Sequence, residues 1–406
     1  MVYNKFEMML SQKLILIGLV ILSLSCQSDS KKADLIIHNA VIWTGVENED
    51  YKRSIAITDE KIIATGTDDE LTHLKDDNTT LIDAKGNFIV PGFIDSHVHL
   101  MAGGRSLLSV DLRNASSPEE FKHKVAGFAE SLKEGEWILE GNWDHTLWGG
   151  ELPHKDWIDE VTENIPVFLF RLDGHMALAN TAALKFAGVD NDIPDVDGGT
   201  IIKDDLGNLT GLLKDNAMNL VIDKIPPMTS EQKRETFEAA SEYFISNGVT
   251  SVHDVDGLNG DLESYSTALE LLKENKLKTR IYASAPLNQW AQTTISNHLN
   301  WVKTGSLKGF VDGSLGSHTA VFHDHYLDIQ DDKGFFINKE DELYEWISEA
   351  DKANLHVLVH AIGVSAIHTL MNIYEKVAKE NGKKIAVLEL NTLSILLLKT
   401  SLDLQN

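Results

Sequence analysis

The sequence is poor in cysteine, in positive charge and in long apolar runs. A single cysteine, Cys26, stands in 406 residues, which excludes a disulfide framework and a zinc–cysteine cluster. Lys and Arg number 36 against 62 Asp and Glu, for a formal charge of −26. Such an acid excess repels phosphate backbones, so nucleic acid is excluded as a partner. There is no short-period repeat and no low-complexity linker. What is present is ordinary for a globular chain: 43% of residues are hydrophobic and 24% charged, which excludes disordered and collagen-like classes. The length suits two or three average domains, or one large α/β barrel with additions.

The apolar run LILIGLVILSLS, residues 14–25, follows Lys5 and Lys13 and ends at Cys26. It is short for a bilayer span and has the length of a signal-peptide core. Residues 1–26 resemble a bacterial lipoprotein signal, in which cleavage leaves the cysteine to be acylated; Ser23 stands where such signals usually carry an aliphatic residue. The alternative is an ordinary secretion signal with a chance cysteine. Cys26 is thus the expected lipidation site. The expected location is the cell envelope, with the protein anchored to a membrane and facing the periplasm or the exterior.

Residues 34–90 alternate short β-rich runs with turn residues and predict a small β-sandwich, with Asp59-Glu60 as a tight hairpin connection. From residue 91 the pattern becomes apolar runs separated by amphipathic helices. Thr229 with Gln232 three residues on forms a capping-box signature. Phe237, Ala240, Phe244 and Ile245 make the following apolar stripe, and Gly248 the stop. VTSVHDVD, TRIYASAP, LKGFVDG and LHVLVHAIG follow as strand candidates with helical stretches between them, so a parallel sheet is expected, barrel or doubly wound. The segment from 102 to 228 interrupts this rhythm and is rich in tryptophan (Trp137, Trp143, Trp148, Trp157). It reads either as a lid or substrate wall on the catalytic face or as a subdomain whose tryptophans are packed.

The strongest chemical signal is IVPGFIDSHVHL at 89–100. His97 and His99 are spaced i, i+2, so on a strand both imidazoles face one way and can offer two nitrogen ligands to one ion. Neutral imidazoles suit zinc or another borderline divalent metal.

PGFIDSHVHL resembles the first barrel strand of the amidohydrolase superfamily, metal-dependent hydrolases of C–N and related bonds. RLDGHMALAN (171–180), LKGFVDGSLGSHTA (307–320) and LHVLVHAIGVSAI (355–367) resemble its N-substituted formamide deformylase-like, or YtcJ-like, branch. The resemblance implies a TIM-type (β/α)8 barrel over 91–382 with a small composite β domain at 34–90. It implies His97 and His99 as first-strand metal ligands, Lys308 as the fourth-strand lysine that many relatives carboxylate between two metals, and His360 as the fifth-strand ligand. Val364 stands where relatives carry an acidic residue. His253 matches a residue that is not a ligand and is read as structural. Asp173, His175 and Asp312 lie in matched motifs, as substrate-pocket residues or as buried hydrogen-bonding ones. The implied activity is hydrolysis of a small-molecule amide or N-substituted formamide by metal-activated water, with one or two ions, zinc by donor type.

Residues 383–406, KKIAVLELNTLSILLLKTSLDLQN, do not continue the family pattern, which would bring a sixth-strand histidine and a last-strand catalytic aspartate. A permitted codon choice for Lys383 to Ser394, shifted by one base, reads RIEHAQ, the motif expected there. The tail is therefore expected to be frameshifted and the barrel to stop after five strands. Such a chain would lack its general base and be inactive; the alternative function is a non-catalytic lipoprotein fragment.

Overall fold

The computed structural model describes residues 32–133, 135–194, 196, 199–255, 262–313, 315, 318–327, 331–382 and, for the backbone, 388–391. Residues 1–26 with Cys26, and the rest of the tail after Gly382, lie outside the described residues. The chain divides into two units, Met1–Gly92 and Phe93–Asn406.

In the first unit, β1 (Leu35–His38), β2 (Val41–Ile42), β3 (Ser54–Thr58), β4 (Lys61–Gly66), β5 (Thr80–Asp83) and β6 (Phe88–Ile89) form two sheets. One has the order β4-β3-β1-β5 and the other pairs β2 with β6. The β3–β4 loop is the expected two-residue hairpin: Asp59 has φ 48° and Glu60 φ 63°, between the paired Thr58 and Lys61. Two successive left-handed residues match the strand twist, which makes this loop length favourable. The short helix α1 (Asp68–Leu71) begins with a capping box of Thr67 and Glu70. Leu71 and Leu74 pack on Ile36 and Ala56 to close a small core.

The second unit opens with β7 (Phe93–Val98) and α2 (Leu100–Leu107). An insertion follows: α3 (Pro118–Ala129), β8 (Ile138–Trp143), α4 (Asp156–Thr162), β9 (Val167–Arg171), β10 (Met176–Ala179), α5 (Thr181–Ala187), β11 (Gly199–Lys203), β12 (Leu209–Asp215) and α6 (Asn219–Ile222). Its strands make a separate sheet in the order β11-β12-β10-β9-β8. Its tryptophans are packing residues. Trp143 is wholly buried and its indole donates to the Leu169 carbonyl at 2.7 Å. Trp148 and Trp157 meet Phe121 edge-on, and Trp137 meets Phe186 in the same way.

The regular alternation then resumes with α7 (Ser230–Ser246), β13 (Val249–Asp254), α8 (Glu263–Lys273), β14 (Arg280–Pro286), β15 (Ser296–His298), β16 (Val302–Phe310), α9 (Glu340–Lys352), β17 (His356–His360), α10 (Val364–Asn381) and β18 (Leu388–Asn391). Thr229 and Gln232 form the anticipated capping box on α7. Phe237 and Ala240 are buried, whereas Ile245 is 37% exposed; Phe244 in the same turn packs on the core, and at 3.6 residues per turn Ile245 falls at the edge of the face that these three share. The order β7-β13-β14-β16-β17-β18 places each strand beside its successor, all in parallel. This is the arrangement of a TIM-type α/β barrel.

One expectation needs correcting: the parallel run does not stop after five strands. Leu388–Asn391 pairs in register with Val357–His360 as a sixth. Parallel pairing is made by backbone N–H and C=O groups, so a segment without the anticipated histidine can still occupy that edge.

Side-chain alternation sorts the barrel strands into two faces. Ala285, Leu307, Val357 and Val359 face outward into a core with Leu343 and Ile347 of α9 and Ile367 and Leu370 of α10. By parity, His253, Tyr282, Ser284, Ser306, Lys308, His356, Leu358 and His360 face the other way. That second face carries the polar chemistry.

Candidate functional site

The ends of three strands bring the candidate residues into one neighbourhood. On β7 the pairing with β13 slips: Asp95 opposes Val252 and Val98 opposes Asp254. Three steps on one strand thus face two on the other, a bulge that takes in Ser96 and His97. Bulges re-aim side chains and are enriched beside active sites. The His97 amide donates to the Asp95 carboxylate at 3.2 Å, which holds the kink. His99 is no longer in the strand; it is the N-cap of α2, at φ −106° and ψ 84°. The two rings nevertheless sit close, with centroids 5.6 Å apart and planes tilted by 58°. The simple i, i+2 alternation expected from the sequence is therefore not what pairs them. A bulge followed at once by a helix start does so.

Lys308, on β16, is 3% exposed, and burial alone pulls its amine down to about 8. Its Nζ lies 5.2 Å from the Phe310 ring centroid. His360 ends β17 and its Nε2 donates to the Gly313 carbonyl at 2.8 Å. A carbonyl can only accept, so the proton sits on Nε2 and the lone pair on Nδ1. Burial pushes this imidazole down, partly opposed by that hydrogen bond.

Around His253, read as structural from the sequence, the interior face gathers four residues that the sequence reading did not single out: Tyr282, Ser284, Ser306 and His356. His253 is buried and pushed down to about 4, first by burial and then by His356, His97 and Lys308. It is a neutral imidazole within electrostatic reach of two candidate ligands. The Ser306 and Ser284 hydroxyls lie 2.9 and 3.2 Å from its Nε2. The Tyr282 ring stacks on it at 4.7 Å, and the His356 ring lies 5.3 Å away. The signal that could have found His356 is its parity with His360 in HVLVH.

Asp312 is wholly buried and accepts three backbone N–H groups, from Val321 (2.8 Å), Ile362 (3.0 Å) and Gly363 (2.8 Å). Of the two roles open to it, the hydrogen-bonding one is what the structure displays. Asp173 and His175 belong to the β9–β10 connection of the inserted sheet. Asp173 pairs with Arg171 and accepts the His175 amide at 3.1 Å, while the His175 Nδ1 meets Asp215 at 2.9 Å.

The donors suit a divalent ion in kind: two adjacent imidazoles at one strand end, a third with a lone pair on Nδ1, and a lysine held toward its neutral form. In number they stop short, since among the described residues no three His, Cys, Asp or Glu side chains are grouped as a metal site.

The buried lysine makes a stability prediction for the metal-free protein. Its amine titrates near 8 when folded and at its ordinary 10.5 when unfolded. Between those values the unfolded chain binds more protons, so stability rises with pH across the window; below about 8 the full penalty of burying the charge applies. At 1.36 kcal/mol per unit the penalty is about 3 kcal/mol. Lys308→Met is expected to be more stable than wild type at pH 7 by up to about that amount. The gap should close as pH rises from 8 to 10.5 in urea melts; a gap that does not change with pH would contradict the assignment.

The amidohydrolase family model matches residues 80–400, which takes in most of the tail assigned above to another reading frame. Protein LONG AFTER FAR-RED 3 of Arabidopsis thaliana is 37% identical over 365 residues, covering 87% of this chain and 63% of that protein. The chain thus spans somewhat less than two thirds of that relative's length. The putative amidohydrolase YtcJ of Bacillus subtilis is 30% identical over 357 residues, covering 86% of this chain and 67% of that protein. Among solved structures, an uncharacterized metal-dependent hydrolase from Pyrococcus horikoshii superposes with a TM-score of 0.69 at 25% identity, over 84% of this chain and 68% of that one. On the strength of these matches and of the parallel barrel strands, the chain belongs to the amidohydrolase family, in its YtcJ-like branch.

Proposed function

We propose that the protein is a metal-dependent hydrolase of carbon–nitrogen bonds other than peptide bonds, acting on a small amide or N-substituted formamide. The observation that carries this reading is the approach of His97 and His99 at the end of the first barrel strand, with Lys308 and His360 on the interior face of the fourth and fifth. His97 and His99 would hold a divalent ion, zinc by donor type, and Lys308 and His360 would complete its surroundings. A bound ion of this kind lowers the pKa of a water ligand to about 7 and polarises a substrate carbonyl. The chain's own residues prepare the place. Burial lowers the Lys308 amine to about 8, which enlarges the neutral fraction, the form able to add carbon dioxide as the lysine of many relatives does. His253, neutral down to about 4, presents no positive charge that would expel a cation. The Ser284 and Ser306 hydroxyls fix its ring.

The test is direct. Purified chain should take up zinc in near-stoichiometric amount, hydrolyse simple amides or N-substituted formamides, and lose that activity on chelation and regain it on adding metal back. Zinc-loaded protein that releases no amine from any of these substrates would count against the hydrolase reading and in favour of a non-catalytic relative.

A further inference from the structure

We propose that Asp254 is a positioning residue that holds the His97–His99 pair in its ligand-presenting geometry; the inference rests on the metal reading above. The first N–H groups of a helix have no acceptor within it and normally rely on the N-cap side chain. At α2 the N-cap is His99, and its side chain makes no capping hydrogen bond. The missing acceptor comes from a different strand: the Asp254 Oδ1 accepts the Leu100 amide at 3.1 Å, across 154 positions of sequence. Asp254 is 1% exposed, and its Oδ2 accepts the Ser264 hydroxyl of α8, which sets the carboxylate's orientation.

The residue on the other side of His99 is held from the same place. Val98 opposes Asp254 in the β7–β13 register, and the Val255 amide donates to the Val98 carbonyl at 2.9 Å. His99 is therefore clamped at both flanks by two consecutive residues, the last of β13 and the one that follows it. A serine or aspartate at position 99 would cap the helix by itself. An imidazole there gives up that function, and Asp254 restores it from outside. The same clamp closes the bulge that aims His97, because Val98 is the residue at which the two strands come back into register.

The experiment compares wild type with Asp254→Ala and Asp254→Asn, using zinc alone in competition with a chromogenic chelator, well below the unfolding temperature of each metal-free protein. Outer partners of metal ligands typically contribute about 10–100-fold in affinity, and a loss of that size is expected for the alanine variant. The asparagine variant keeps an acceptor for the Leu100 amide and should bind close to wild type, a rescue that a general structural role would not produce. Zinc affinity unchanged in Asp254→Ala, or a folded Asp254→Asn as weak as the alanine variant, would overturn the assignment. Should the alanine variant not fold, Asp254→Ser, too short to reach Leu100, takes its place with the same two outcomes. Histidine ring NMR signals of the metal-free proteins give the second readout. His99 signals are expected to move in the alanine variant and to return in the asparagine one. If wild type takes up no zinc, the metal reading fails, yet the ring signals still decide the role of Asp254: unmoved His99 signals would refute it.

Discussion

Replacing His97 and His99 together with alanine is expected to abolish zinc uptake and to lower hydrolysis by about 10³-fold or more. A metal acting on a carbonyl contributes several kcal/mol of transition-state stabilisation, and each 1.36 kcal/mol is tenfold in rate. The pair is the natural target because its members come from one short stretch and lie 5.6 Å apart, ring to ring. Neither can be replaced by a neighbour. His97 lies within the bulge between Asp95 and Val98, and His99 occupies the cap of α2. His97→Ala should also let the His253 imidazole titrate higher, since His97 is one of the groups holding it down. Metal content by emission spectroscopy and amine release from an N-substituted formamide check the double variant. Retention of stoichiometric metal would show that these imidazoles are not the ligands, even if activity fell.

Asp312→Ala is expected to be the most destabilising single substitution in the barrel, by about 4 kcal/mol or more. A buried donor left without its acceptor costs about 1–3 kcal/mol, and Asp312 serves three: the amides of Val321, Ile362 and Gly363. Losses above about 4 kcal/mol are uncommon and belong to broken buried networks of this kind. The carboxylate ties the end of β16 to the loop around Val321 and to the exit of β17. At that exit the chain passes so close that a Cβ on Gly363 would stand 2.0 Å from the Val321 carbonyl oxygen. Asp312→Asn retains one acceptor oxygen but turns its amide NH2, a donor, toward an N–H, so it should recover only part of the loss. Urea unfolding midpoints measure both variants; a change under about 1 kcal/mol in the alanine variant would mean that water satisfies the three amides.

Local chemistry was legible before any coordinates. The Asp59-Glu60 hairpin and the Thr229–Gln232 capping box each involve residues within four positions of one another, so their geometry follows from the backbone preferences of those residues alone. The helices and parallel strands of the barrel were legible for a similar reason: period and punctuation are carried within single elements. Ile245 shows where that reasoning stops. It lies at the edge of the apolar stripe, beside Phe244, which does pack on the core; whether an edge position is covered depends on what lies next to the helix, not on the helix itself.

By itself, the sequence determined which chemistry the protein can offer: a lone cysteine and a strong acid excess, two histidines after PGFID, a lysine and a histidine at the ends of later strands, and the family to which these motifs belong. The tertiary structure decided how those groups meet. The bulge that aims His97 is a mismatch between β7 and β13, strands some 150 positions apart. The pull on Lys308 is produced by burial, and that on His253 by burial together with neighbours on other strands. Asp312 and Asp254 find their backbone partners 9 to 154 positions away. Each of these depends on a pairing register, and register is a relation between strands that no stretch of either one contains.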